Sequence, residues 1–333
     1  MKEVVRLVHG DGGVRTKCLI EDIFYKFFQN ELLLEGQDAA VFPIDKGRLA
    51  YTTDSYVVNP FLFEGGNIGK LAACGTINDL VVSGAKPLYL SAGFIIEEGF
   101  PMDTLSYIAK SMGEVCKEAG VRIITGDTKV VDKGGVDGIF INTSGIGSMI
   151  SEYRIKPIEA EDKIIVTGNI GDHGTTIAIE RYQLKVKSAI QSDCASLYVF
   201  LEELKNHLSF IKIMRDPTRG GLATVLHEFS AMSRLGIRLM EDWIPIQESV
   251  RSVNEILGLD PLYMACEGRM VIVVDKKSAE DILRKIQSTE QGKDARIIGE
   301  FVSEPMNVVY SENSYGGKRI IPLLEESMLP RIC

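Results

Sequence analysis

The stretch Ser151-Glu152-Tyr153-Arg154-Ile155-Lys156-Pro157-Ile158-Glu159-Ala160-Glu161-Asp162 divides this chain in two. It is rich in charge and holds a proline, and it reads as a linker between two runs of alternating strand and helix patterns. On its N-terminal side, strand patterns at 49–53, 88–96, 121–125 and 138–146 alternate with helix patterns at 67–82 and 101–119. Pro101 at the helix start and Gly120 just past its end mark the second helix's limits. On the C-terminal side, strands at 163–167, 237–240, 269–274 and 296–301 alternate with helices after Gly171 and at 193–206 and 221–234. The expectation is an α/β protein with mixed sheets and two domains, 1–155 and 156–321. A tail, 322–333, with no core-facing pattern follows and is expected to be mobile.

Composition narrows the class. The chain has 333 residues, 45% of them apolar and 25% charged, with a net charge of −9. That acidity argues against nucleic-acid and anionic-membrane partners, because phosphates need a basic surplus to neutralise them. Glu3, Arg6, His9 and Asp11 interrupt the start, which therefore lacks a signal-peptide core. The six cysteines are scattered with no CxxC pair, which speaks against a disulfide framework or a structural zinc site. The expected setting is the reducing cytoplasm.

Four aspartates recur beside small or hydroxyl residues near the ends of apolar segments: Asp38, Asp54, Asp79 and Asp127. One such residue is more often a turn or helix cap. Four together predict a shared Mg²⁺ site that carries the phosphates of a nucleotide. Glycine-rich loops suit the same task, since backbone N–H groups approach an anion closely where no Cβ intervenes. His9, Gly10, Gly12 and Gly13 form one such loop. Asp216, Thr218, Arg219 and Gly220 open a helix with an acid, a hydroxyl and a base, a start suited to phosphate. Gly65 to Lys70 is not a Walker A loop, because its spacing is short and Leu71 replaces the Mg²⁺-binding hydroxyl.

The sequence closes on Pro330-Arg331-Ile332-Cys333. A thiol there is either incidental or the working group.

Taken together, these segments resemble the superfamily of aminoimidazole ribonucleotide synthetase, selenophosphate synthetase and thiamine monophosphate kinase. Within it they look most like the hydrogenase maturation family HypE. The resemblance rests on His9 to Gly13, Asn78-Asp79-Leu80, Gly126-Asp127-Thr128-Lys129-Val130, Met214 to Gly221, Ala265-Cys266-Glu267-Gly268 and the Pro-Arg-Ile-Cys close. It implies a fold whose N-terminal domains pair in a homodimer, with ATP and Mg²⁺ held near that interface. Asn78, Asp127 and Thr128 are then placed with the nucleotide. It also implies that HypF carbamoylates the terminal cysteine, and that the chain dehydrates the resulting thiocarboxamide to a thiocyanate with ATP. Cyanide then passes to iron on a HypC–HypD complex, and Cys333 matches the residue that carries it.

Such a dehydration needs a base for the nitrogen protons. Glu267 and Lys129 are the two candidates: partial burial raises the basicity of the first, and a cationic neighbourhood lowers the pKa of the second. Arg331 is expected to pin the tail or steady phosphate charge. The alternatives are a synthetase or kinase of the same superfamily acting on a free small molecule, and a non-catalytic carrier.

Overall fold

The computed structural model describes residues 4–6, 9, 18–31, 47–150, 153–186, 190–324, 328–329 and 331–333. Asp38, Gly10, Gly12 and Gly13 lie outside the described residues.

The N-terminal sheet has four strands, β1 (Leu49–Tyr56), β4 (Ala85–Glu97), β5 (Arg122–Val131) and β6 (Ile139–Met149), in the order β1-β6-β4-β5. β4 pairs with β5 in parallel, and β6 runs antiparallel to both β1 and β4. A two-stranded ribbon, β2 (Leu62–Phe63) with β3 (Gly66–Asn67), leads into the first long helix. That helix, Ile68–Val82, starts where the Asn67 side chain accepts the N–H groups of Gly69 and Lys70, so Asn67 is its cap. Nearly every residue along it is buried. The second helix, Met102–Glu118, buries a single stripe, Leu105, Ile108, Ala109, Met112, Val115 and Cys116, at helical spacing.

The C-terminal sheet has seven strands: β7 (Lys163–Val166), β8 (Ile211–Arg215), β9 (Gly236–Met240), β10 (Val271–Val274), β11 (Arg296–Val302), β12 (Val309–Glu312) and β13 (Lys318–Ile320). Their order is β13-β12-β9-β11-β7-β10-β8, and only the β12–β9 pair is parallel. β10 is buried along its whole length, as its Val-Ile-Val-Val sequence requires of a strand covered on both faces. Helices Asp172–Arg181, Tyr198–Leu204, Gly221–Ser233, Glu248–Leu257 and Ala279–Gln287 cover the sheet.

Two expectations change. The helix expected at 193–206 is confined to Tyr198–Leu204. Residues 193–196 are not helical and Leu197 is a turn, because their polar groups bond to other segments: the Asp193 carboxylate accepts the N–H groups of Glu267 and Gly268, and Leu197 N–H donates to Asn78. The tail also packs. Leu329 and Ile332 are buried in an apolar cluster that spans both domains.

Candidate active site

The site forms where β1, the helix Ile68–Val82 and three C-terminal segments meet. On β1 the side chains alternate in direction, and Thr52 and Asp54 face the helix. Thr52 Oγ1 donates to Asp79 Oδ2 at 2.6 Å, and Tyr56 OH donates to Asp54 Oδ2 at 3.2 Å. Burial raises the pKa of both Asp54 and Asp79, and the Asp79 charge adds to the effect on Asp54.

The loop between β8 and the helix Gly221–Ser233 brings three further charges. Arg215 and Arg219 both lower the pKa of Asp79, so two guanidinium groups lie within its electrostatic reach. Asp216 is pushed up to about 7 by burial and by the carboxylates of Asp79 and Asp54. Cys266 N–H donates to Pro217 O at 2.9 Å, which ties this loop to the one that carries Glu267.

Glu267 is 2% exposed, and its Oε1 has no hydrogen-bond partner. Burial, followed by the nearby Cys194, Asp216, Asp193 and Asp54, holds its pKa well above the usual carboxylate range. The backbone around it is fixed with care. Asp193 accepts Glu267 N–H at 3.1 Å and Gly268 N–H at 3.3 Å. A Cβ on Gly268 would lie 1.9 Å from Asp193 O, so only glycine fits beneath this loop. Asn78 donates to the carbonyls of Glu267 and Ala195 and accepts Leu197 N–H.

Cys333 arrives from the end of the chain. Its thiol is pushed up to about 12 by burial and by Glu267, with smaller contributions from Asp54 and Asp216, while Arg219 acts in the opposite sense. A thiol, a buried carboxyl, further carboxylates and a guanidinium thus share one site.

Several expected residues stand elsewhere. Register places Asp127 and Lys129 on the face of the N-terminal sheet opposite Asp54, in line with Gly93 and Ile95. There the Lys129 ammonium meets the Asp127 carboxylate at 2.9 Å. Thr128 lies on the helix-facing side of β5. Asn78 is 1% exposed and gives its amide to backbone groups. His9 is buried and accepts Arg6 N–H at Nδ1. Gly220 caps the helix Gly221–Ser233 in a left-handed conformation, and Thr218 N–H bonds to Asp216 O. Arg331 does pin the tail: its Nη1 donates to Asp137 Oδ2 at 2.9 Å and its Nε to Val57 O at 3.1 Å. Sequence reasoning assigned no site role to Thr52 or Arg215, which stand within segments that carry the family resemblance, and overlooked Tyr56 and Asp193. Arg215, next to the flagged Asp216, carried a signal in its position, and Asp193 carried none.

Two family models together match most of the chain: AIR synthase related protein, N-terminal domain, over residues 36–149, and its C-terminal domain over residues 159–311. Carbamoyl dehydratase HypE of Escherichia coli K12 is 45% identical over 336 residues, covering 99% of each chain. The chain belongs to the HypE family. A crystal structure of hydrogenase maturation protein HypE in complex with ATP superposes with a TM-score of 0.94 at 42% identity, covering 98% of this chain and 99% of that one. A HypE chain solved in a HypE–HypF complex is 48% identical with a TM-score of 0.80, covering 91% of this chain and 99% of its own.

Proposed function

We infer that this protein is an ATP-dependent carbamoyl dehydratase whose substrate is a carboxamide on its own Cys333, made to supply cyanide for nickel–iron hydrogenase assembly. The observation that carries this reading is the docked end of the chain, where Cys333 O accepts Val57 N–H at 3.2 Å and the thiol lies within electrostatic reach of Glu267, Arg219, Asp54 and Asp216.

The chemistry follows from what surrounds the thiol. Converting S–C(=O)NH₂ to S–C≡N removes one oxygen and two nitrogen-bound hydrogens. Oxide is too basic to leave; transfer of the ATP γ-phosphoryl group to the carbonyl oxygen lets that oxygen depart as phosphate. The products are thiocyanate, ADP, phosphate and the released protons. Glu267 accepts a nitrogen proton, since burial makes its carboxylate a stronger base than an ordinary glutamate. Arg219, and Arg215 beside it, balance phosphate charge next to Asp79. Placing the reacting group on the chain itself replaces a binding step by tail docking, which raises effective concentration.

Asp54 and Asp79, together with the Thr52 hydroxyl, are hard oxygen donors and fit Mg²⁺. Among the described residues no three His, Cys, Asp or Glu side chains converge on a ready-made metal cage, so Asp54 and Asp79 would hold the ion together with water and phosphate oxygens. When bound, Mg²⁺ neutralises charge on the transferring phosphoryl group. Asp38 and the loop of Gly10, Gly12 and Gly13 keep their proposed nucleotide role through the family resemblance.

Asp127 and Lys129 join the reading through a second copy of the chain. Their sheet face also exposes Leu49, Tyr51 and Ile95, a surface suited to pairing N-terminal domains in a homodimer. HypF loads the carbamoyl group, and the HypC–HypD complex receives the cyanide. All six cysteines are free, and no described helix is long and apolar enough to cross a membrane. Both fit a cytoplasmic enzyme.

The deciding test is intact mass after incubation with HypF, carbamoyl phosphate and Mg·ATP. Replacing the thiol hydrogen by CONH₂ adds about 43 Da, and dehydration to CN leaves about 25 Da, both mapping to Cys333. ATP consumption with an unmodified tail would instead favour a free small-molecule substrate.

A further inference from the structure

The helix Asp172–Arg181 grips the tail at both ends. At its start, His173 Nε2 lies 2.8 Å from Ile332 O. At its end, Arg181 Nη2 lies 2.8 Å from Arg331 O. The tail also runs beside residues 57–59, with Val57 N–H donating to Cys333 O and Asn59 N–H to Arg331 O, each at 3.2 Å.

The histidine contact has a defined chemistry. A carbonyl only accepts, so Nε2 must carry the hydrogen. His173 is completely buried, and burial lowers its pKa, so the ring is neutral and Nδ1 is an acceptor. Its partner there, Ser192 Oγ at 2.8 Å, donates its hydrogen and still accepts Cys194 N–H at 3.1 Å. Phe63 stands edge-on to the ring at 5.3 Å between centroids, which fixes its plane. The tail has its own seat beside it: a Cβ on Gly174 would come within 3.2 Å of Ile332 Cδ1.

Ser192 belongs to the segment that holds the opposite partner of the reaction. One residue on, Asp193 accepts the N–H groups of Glu267 and Gly268, and Ala195 N–H donates to Glu267 O at 3.3 Å. A single stretch, 192–195, therefore fixes Glu267 on one side and, through His173, the last peptide of the tail on the other.

We propose that His173, oriented by Ser192, is a positioning residue that latches the Ile332 carbonyl and so sets Cys333 against Glu267. It touches no reacting atom. The proposal rests on the dehydratase reading for its purpose, but the latch itself is a statement about where the tail sits.

The test is the alkylation rate of each cysteine by iodoacetamide in the full-length protein, read by peptide mass. Exposed Cys18 serves as the internal control. His173→Phe keeps a ring in the site and removes the donor. It should speed labelling of Cys333 by about tenfold, the expected effect of one lost buried hydrogen bond, with Cys18 unchanged. His173→Gln, which retains an N–H donor, should restore slow labelling, and Ser192→Ala should fall between the two. In the coupled assay with HypF, the Phe variant should keep carbamoylation and lose dehydration in proportion to tail release. If Cys333 labels at the wild-type rate in both His173→Phe and Ser192→Ala, the latch is overturned. If His173→Phe also exposes buried Cys116 and Cys266, it has disturbed the fold, and Ser192→Ala alone decides. Faster Cys333 labelling in a protein whose wild type makes no thiocyanate would keep the latch and remove the dehydratase reading.

Discussion

The Arg331 guanidinium meets the Asp137 carboxylate at 2.9 Å across 194 positions of sequence, and it also lies 5.9 Å from the centre of the Phe140 ring. Both partners of the ion pair are partly exposed, so solvent screens it. Asp137→Asn should therefore weaken tail docking by a few-fold at most, about 1 kcal/mol or less. Arg331→Ala should cost more, because it also removes the Val57 contact and the ring contact. The dehydration rate at saturating ATP, with carbamoylation measured in parallel, separates the two variants.

Glu267→Gln is expected to leave carbamoylation of Cys333 intact and to slow dehydration by about 10²-fold or more. Folding stability should hold or rise near neutral pH, since the amide removes a carboxyl whose charged form is disfavoured by burial. Thiocyanate formation at the wild-type rate, followed by mass, would eliminate this residue as the base.

Asp79→Asn should lower ATP turnover by about 10²-fold while the melting temperature changes little. Thr52→Val, which removes only the hydroxyl bonded to Asp79 at 2.6 Å, should give a smaller loss in the same direction. Phosphate release and thermal melting of each variant check this ordering.

Asn78→Ala should behave differently from a nucleotide-site mutation. It strips three buried hydrogen bonds to the backbone of residues 195, 197 and 267, and should destabilise the fold by about 2–3 kcal/mol. ATP affinity measured well below the melting temperature should stay near that of the wild type. Lost ATP affinity in a stably folded variant would return Asn78 to the nucleotide site.

Asp172 makes stability depend on pH. Burial and the neighbouring Asp193 charge raise it to about 7 from an ordinary 3.8, against the opposing pull of Arg269. The folded state thus holds a proton that the unfolded chain releases, and stability falls as pH rises through that window. Asp172→Asn should flatten the decline in melting temperature between about pH 4 and pH 7. An unchanged slope would show that the carboxyl is charged in the fold.

Residue type and spacing established which chemistry was present and where several of the regular elements lay, though not the helix limits at 193–206 or the strands β8, β12 and β13. Pro101 and Gly120 bounded the helix Met102–Glu118 because proline suits a helix start and a left-handed glycine ends one, both local effects. The acid-rich motifs and the final cysteine were legible for the same reason: residue type and spacing carry them. Tertiary structure alone decided which of these residues meet. Asp54 and Asp127 look alike in sequence, yet strand order β1-β6-β4-β5 and the two-residue alternation of side chains set them on opposite faces. Residues 193–197 abandon a helical pattern because Asp193 and Leu197 find partners 74 and 119 positions away. The tail, without a regular pattern of its own, gains its seat from contacts as remote as Arg331 with Val57, 274 residues apart. Local propensity reaches only a few residues along the chain, whereas the site is built from packing between segments that no local pattern brings together.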